Sequence, residues 1–78
     1  MPPRPRYPMP EYIREALEAR GLRKAYNARP PYQRNDYIGW ITRAKRPVTQ
    51  QMRLNQMLDE LEKGDVYMKM DWKKDRTR

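Results

Sequence analysis

Apolar side chains recur at helical spacing in four stretches of the chain, separated by Pro and Gly at the places where helices start and stop. Ile13, Ala16 and Leu17 share one face. Pro10 suits a first turn, Glu11 complements the positive end of the helix dipole, and Gly21 is placed to terminate that helix. Residues 22–28 put Leu22, Ala25 and Tyr26 on one side of barely two turns, which predicts a second, short helix closed by Pro30 and Pro31. The third helix is expected over about 31–44, where Tyr37, Trp40, Ile41 and Ala44 fall at i, i+3, i+4 and i+7. Gly39 in its middle costs up to about 1 kcal/mol relative to Ala, so it marks close approach of a neighbouring helix. A fourth helix follows Pro47, with Leu54, Met57, Leu58 and Leu61 on one side and Gly64 as its stop.

Outside these stretches the pattern changes. Five of the eight prolines lie in the first ten residues, which predicts an extended, disordered arm over residues 1–9. Its Pro2-x-x-Pro5 and Pro5-x-x-Pro8 spacings, next to Arg4 and Arg6, also suit a polyproline ligand. Tyr67, Met68, Met70 and Trp72 alternate only partly, and a lone strand finds no second β pattern to pair with. Residues 65–78 are therefore expected as an extended, charged tail anchored by Trp72. The fold class is all-α: a small bundle of three to four short helices over residues 10–64. Its candidate core is Ile13, Leu17, Tyr26, Tyr37, Trp40, Ile41, Leu54, Leu58 and Leu61, with Tyr32 less committed to a buried face.

At 78 residues the chain holds one small domain whose core is only just sufficient, and it cannot enclose a large pocket. With no Cys and no His, disulfides, the usual zinc sites and histidine acid–base chemistry are all excluded. Gly21, Gly39 and Gly64 are too far apart to form a phosphate loop, and the acids after Leu58 lack calcium-loop spacing. None of the ten carboxylates sits in an apolar surrounding and nearly all read as surface charge, with Asp59 four residues before Lys63 for a local pair. No enzyme activity and no cofactor are expected. No stretch approaches the roughly 20 apolar residues of a membrane span, and the N-terminal residues lack the apolar run of a secretory signal, so a cytoplasmic protein without a transmembrane segment is expected.

Charge supplies the functional lead. The net charge is +8 and the isoelectric point is about 10.1, which suits an anionic partner. Residues 20–46 hold eight basic groups against one acid, Asp36, whereas from residue 47 onward seven basic groups meet six acids. Arg34, Arg43, Lys45, Arg46, Thr49 and Arg53 are the candidate anion- or partner-binding residues. A protein or envelope component is favoured as that partner. The alternative is a nucleic acid, bound by the hairpin of the third and fourth helices, since Thr49, Gln50, Gln51, Arg53 and Asn55 are types that reach base edges. Asp59, Glu60, Glu62 and Asp65 would oppose phosphates farther along.

Certain residues carry a family resemblance: Arg29-Pro30-Pro31-Tyr32, then Tyr37-Ile38-Gly39-Trp40-Ile41, then Ala44-Lys45-Arg46-Pro47-Val48-Thr49, then Arg53 and Leu58-x-x-Leu61-x-x-Gly64. The pattern resembles the YdeI/OmpD-associated, or bacteriocin-protection, family over roughly residues 10–64, the C-terminal helical module of longer members. Where members carry a more basic run after the threonine, this chain has Gln50, Gln51 and Met52 around Arg53. The resemblance implies an α-helical domain associated with bacterial envelope stress or bacteriocin protection, and no defined reaction or catalytic residues.

Overall fold

A computed structural model describes residues 6–72. Four helices, α1 (Glu11–Ala19), α2 (Arg23–Asn27), α3 (Pro31–Thr42) and α4 (Pro47–Lys63), are followed by two short strands, β1 (Val66–Tyr67) and β2 (Met70–Asp71). The Pro2-x-x-Pro5 spacing, most of the proline-rich arm and the charged end beyond Trp72 lie outside the described residues.

Each helix begins and ends where the local chemistry requires. The Pro10 carbonyl accepts the first bonds of α1, from the Ile13 and Arg14 amides at 3.2 Å each. At its end Gly21 takes φ +67°. That left-handed residue lets Leu22 N–H reach the Leu17 carbonyl at 2.8 Å and Gly21 N–H reach that of Glu18 at 3.1 Å, the paired closure of a Schellman motif. Pro31 and Pro47 open α3 and α4. Gly64, at φ +83°, closes α4.

Ile13 and Leu17 of α1, and Tyr37 and Ile41 of α3, are wholly buried together with Met57 of α4; Leu22, Tyr26, Leu54, Leu58 and Leu61 complete the cluster. A fully buried aliphatic side chain contributes roughly 1.5–3 kcal/mol. Trp40, expected in the core, is only half-buried and packs against its edge. Tyr32 is exposed. Helix α3 is central, because Ile38, Gly39 and Gln33 are buried as well as the Tyr37 stripe.

The N-terminal segment departs from the expected free arm. Tyr7 N–H donates to Asn35 Oδ1 at 2.9 Å, and the Tyr7 ring lies over Gly39. A β-carbon on Gly39 would stand 2.6 Å from Tyr7 Cε2. The close neighbour predicted by this glycine is therefore an aromatic ring from the N-terminal segment instead of a helix.

The expected extended tail is in part a hairpin. Val66 pairs with Asp71 and Tyr67 with Met70 in antiparallel register, and Trp72 N–H closes on the Asp65 carbonyl at 2.9 Å. The turn residues Met68 and Lys69 adopt φ +52° and +63°. Two left-handed residues form the tight turn that fits the twist of paired strands, but side chains other than Gly cost about 1–2 kcal/mol each there. No Asn-Gly signal announces this turn.

What compensates the strain is Glu60, a residue read from sequence as surface charge. It is 4% exposed. Its Oε1 accepts from Tyr37 OH at 2.5 Å and Met68 N–H at 2.8 Å, and its Oε2 from Lys69 N–H at 2.8 Å and Gln56 Nε2 at 3.1 Å. Four donors thus solvate the carboxylate in place of water. Arg29, one of the eight basic groups of residues 20–46, is likewise buried: it donates to Gln33 Oε1 at 3.1 Å and to the Glu60 backbone carbonyl at 3.0 Å, with its guanidinium 4.7 Å from the Trp72 ring centre. Among the described residues no buried side-chain nitrogen or oxygen lacks a partner. The acids of α4 also pair differently from the expected Asp59 to Lys63 contact, since Arg20 of the α1 end reaches Glu62 at 3.1 Å and Asp59 at 3.5 Å.

Two outcomes follow from this arrangement. Glu60→Ala leaves the Tyr37 hydroxyl and two turn amides without their acceptor, and should lower stability by about 2–4 kcal/mol in urea unfolding, with amide-exchange protection lost first at Met68 and Lys69. Burial, reinforced by the hydrogen bond to Glu60, raises the Tyr37 phenol well above its ordinary value of 10.0. The unfolded chain therefore releases this proton first as pH rises, so the contribution is intact below pH 10 and lost above it, by about 1.4 kcal/mol per pH unit. Alkaline unfolding curves of the native chain and Tyr37→Phe should differ by that slope.

Candidate functional site

The longest acid-free stretch that reaches the surface surrounds the connection between α3 and α4. Residues 37–58 contain no Asp or Glu. Arg43 caps α3, Ala44 is buried beneath the turn, and Lys45 and Arg46 stand exposed before Pro47 starts α4. Among the described residues none of these three cations has a carboxylate within salt-bridge distance, since the ion pairs run through Arg14, Arg20 and Arg23. At the opposite pole, Arg20 has its pKa raised, foremost by its hydrogen bond to Glu62.

The structure separates the six candidate binding residues into different kinds. Lys45 and Arg46 are exposed. Arg43 is also exposed, with Nη1 3.3 Å from Tyr7 OH and its guanidinium 5.9 Å from that ring centre. Thr49 is half-buried in the first turn of α4. Arg53 is committed inward: its Nη1 donates to the Trp40 carbonyl at 2.6 Å and its guanidinium lies 5.2 Å from the Trp40 ring centre. It ties α4 to the end of α3. Arg34 stands nine positions before Arg43, about 13 Å of helix rise away, and its Nε donates to the Arg29 carbonyl at 3.1 Å. Arg34 consequently belongs to another part of the surface.

The polar residues placed to read bases from α4 are largely engaged within the helix and turn. Gln50 Nε2 donates to the Ala44 carbonyl at 3.0 Å, where it closes the turn, and Gln51 Nε2 donates to Asn55 Oδ1 at 3.0 Å. Beside the cations lie two apolar side chains that the sequence reading did not select, Val48 and Met52, which are 61% and 66% exposed. A signal for them existed in the periodicity. Met52 stands two residues from Leu54, close to the opposite side of a helix, and Val48 is one turn before Met52. The turn therefore presents a mixed surface of cations flanked by aliphatic groups.

Thr42 bends its hydroxyl back onto the Ile38 carbonyl at 2.8 Å, so it offers no free donor at this surface. Among the described residues no three His, Cys, Asp or Glu side chains come together as a metal site, and no helix is long and apolar enough to cross a membrane. Among the described residues the Tyr37 phenol is the most strongly raised, but its hydroxyl and the Glu60 carboxylate oxygens are consumed by hydrogen bonds inside the fold. They hold structure together.

No curated protein and no solved structure matches the chain. A family model does match, over residues 6–64, a span that includes the Tyr7 segment as well as all four helices and ends at the Gly64 stop. On that match the chain belongs to the family described as bacteriocin-protection, YdeI or OmpD-associated.

Proposed function

We propose that this protein is a non-catalytic binding module of the bacterial cytoplasm, and that the turn between α3 and α4 is the surface that meets an anionic partner connected with the cell envelope. The observation that carries the reading is the composition of that turn: Arg43, Lys45 and Arg46 without a neighbouring acid, flanked by exposed Val48 and Met52. Cations attract an anionic surface over a Debye length, and adjacent apolar groups add contact once the surfaces meet. Aliphatic groups are better matched to a protein or lipid surface than to a phosphate backbone, and α4 spends Gln50, Gln51 and Arg53 on its own contacts. Bacteriocin protection, which names the family, is the biological setting in which such an envelope-directed contact would act.

The nucleic-acid reading remains the alternative because the same cations would contact phosphates. An amide-shift titration of residues 43–55 separates the two, using vesicles containing anionic lipid, neutral vesicles and a DNA duplex, each at two salt concentrations. The proposal requires anionic vesicles to give localised shifts with neutral vesicles silent. Lys45→Gln combined with Arg46→Gln should then weaken vesicle binding by about tenfold or more, since each cation near such a surface contributes about 1 kcal/mol. Shifts induced by the duplex that persist at high salt and depend on its sequence would establish the alternative instead.

A further inference from the structure

A second cationic feature lies where the N-terminal segment packs on α3, joined to that turn only through the contact of Tyr7 with Arg43. Arg6, Tyr7, Tyr26, Tyr32, Arg34 and Asn35 line an open cleft of about 590 Å³, floored by Pro31 and Ile38. Its volume is in the range that accepts a small organic molecule. The arginines bring positive charge to the lining, and tyrosine rings with Pro31 and Ile38 supply apolar surface.

The Tyr26 hydroxyl carries the argument furthest. Tyr26 is 7% exposed, its ring belongs to the core, and its hydroxyl makes no hydrogen bond among the described residues. Among the described residues no fully buried side-chain oxygen lacks a partner, so the Tyr26 hydroxyl is not wholly closed off from solvent, and Tyr26 is one of the residues that line the cleft. Burial raises the pKa of this phenol, and the charges of Arg34 and Arg23 act on it in the opposite sense, which places Arg34 in electrostatic reach. The Tyr26 phenol is therefore a protonated donor at neutral pH. Arg34 is fixed in turn by its Nε bond to the Arg29 carbonyl, and among the described residues its two terminal nitrogens make no hydrogen bond. Arg29 is held by Gln33 and Glu60, so the guanidinium of Arg34 hangs from a rigid support.

We infer that this cleft binds a small organic phosphate, with the ester dianion held by Arg34, Arg6 and the Tyr26 hydroxyl and its apolar body against Tyr7, Tyr32 and Ile38. Two guanidiniums and a phenol offer more donors than a single carboxylate needs, and they match the three acceptor oxygens and near double charge of a phosphomonoester. The cleft is a binding site with no reaction assigned to it. It does not depend on the envelope-partner reading, because it uses neither Lys45 nor Arg46.

Phenyl phosphate is the probe, added to the full chain while amide shifts and tyrosine ring signals are followed. Saturable shifts centred on residues 6–7, 26 and 31–38 are expected, with phenol and inorganic phosphate each binding more weakly than the ester. Tyr26→Phe keeps the ring in the core and should weaken phenyl phosphate by about tenfold, as should Arg34→Gln. Arg6→Gln alters an exposed residue, so it gives the same reading without the risk to folding, and it should also weaken binding. Lys45→Gln with Arg46→Gln should leave phenyl phosphate affinity unchanged, which keeps failure of this site distinct from failure of the turn. A phosphotyrosine peptide binding more tightly than phenyl phosphate would assign the ester to a protein partner, and equal or weaker binding to a free metabolite; both keep the phosphate site. Shifts no larger than those from sodium chloride at matched ionic strength would overturn the inference, as would unchanged affinity in both Tyr26→Phe and Arg6→Gln.

Discussion

A single buried carboxylate connects α3, α4 and the hairpin of this domain. Glu60 stands near the end of α4, yet its two oxygens hold Tyr37 of α3 and the turn between β1 and β2, while its backbone carbonyl accepts from Arg29 just after α2. An isolated carboxylate in that position would be strongly unfavourable, and four hydrogen-bond donors replace the lost water. The consequence is mutual dependence. The left-handed turn needs the acceptor, the acceptor needs the turn amides, and both need α3 at its present distance. In a chain with a core this small, such a node does work that larger proteins leave to additional apolar layers.

The cations divide by the same logic. Arg29, Arg34 and Arg53 donate to backbone carbonyls, and in doing so they join α2, α3 and α4. Planar guanidinium groups suit that task because they bond at one edge and lie over a ring at a face, as Arg53 does with Trp40 and Arg29 with Trp72. Net charge alone therefore overstates the binding surface. The charge available to the proposed partners lies at Arg43, Lys45 and Arg46 of the turn, and at Arg6 and the terminal nitrogens of Arg34 in the cleft.

The four helices were legible because their signals are local. Pro10, Pro31 and Pro47 mark starts, Gly21 and Gly64 mark stops, and the apolar spacing between them identifies most of the core, from Ile13 and Leu17 to Leu54, Leu58 and Leu61. The hairpin was not legible, because Met68-Lys69 is an unfavourable turn pair whose compensation comes from Glu60, eight and nine residues earlier. Burial of Arg29, Gln33 and Glu60 escaped for the same reason: each is polar, and only the three-dimensional set of partners makes its position tolerable. In the proposed binding surface, Lys45 and Arg46 could be selected from charge alone. Arg34 could be named but not located, and the open hydroxyl of Tyr26 has no counterpart in a periodicity argument.

Trp40 and Trp72, the chain's two tryptophans, each lie against an arginine, one at the junction of α3 with α4 and the other where the chain leaves the hairpin. They divide the molecule optically. With Trp72 replaced, the emission of Trp40 reports on the helical pair; with Trp40 replaced, that of Trp72 reports on the hairpin. The protein thus carries two spectroscopic reporters, one on each side of the Glu60 node, able to register whether the helices and the hairpin let go together or in sequence.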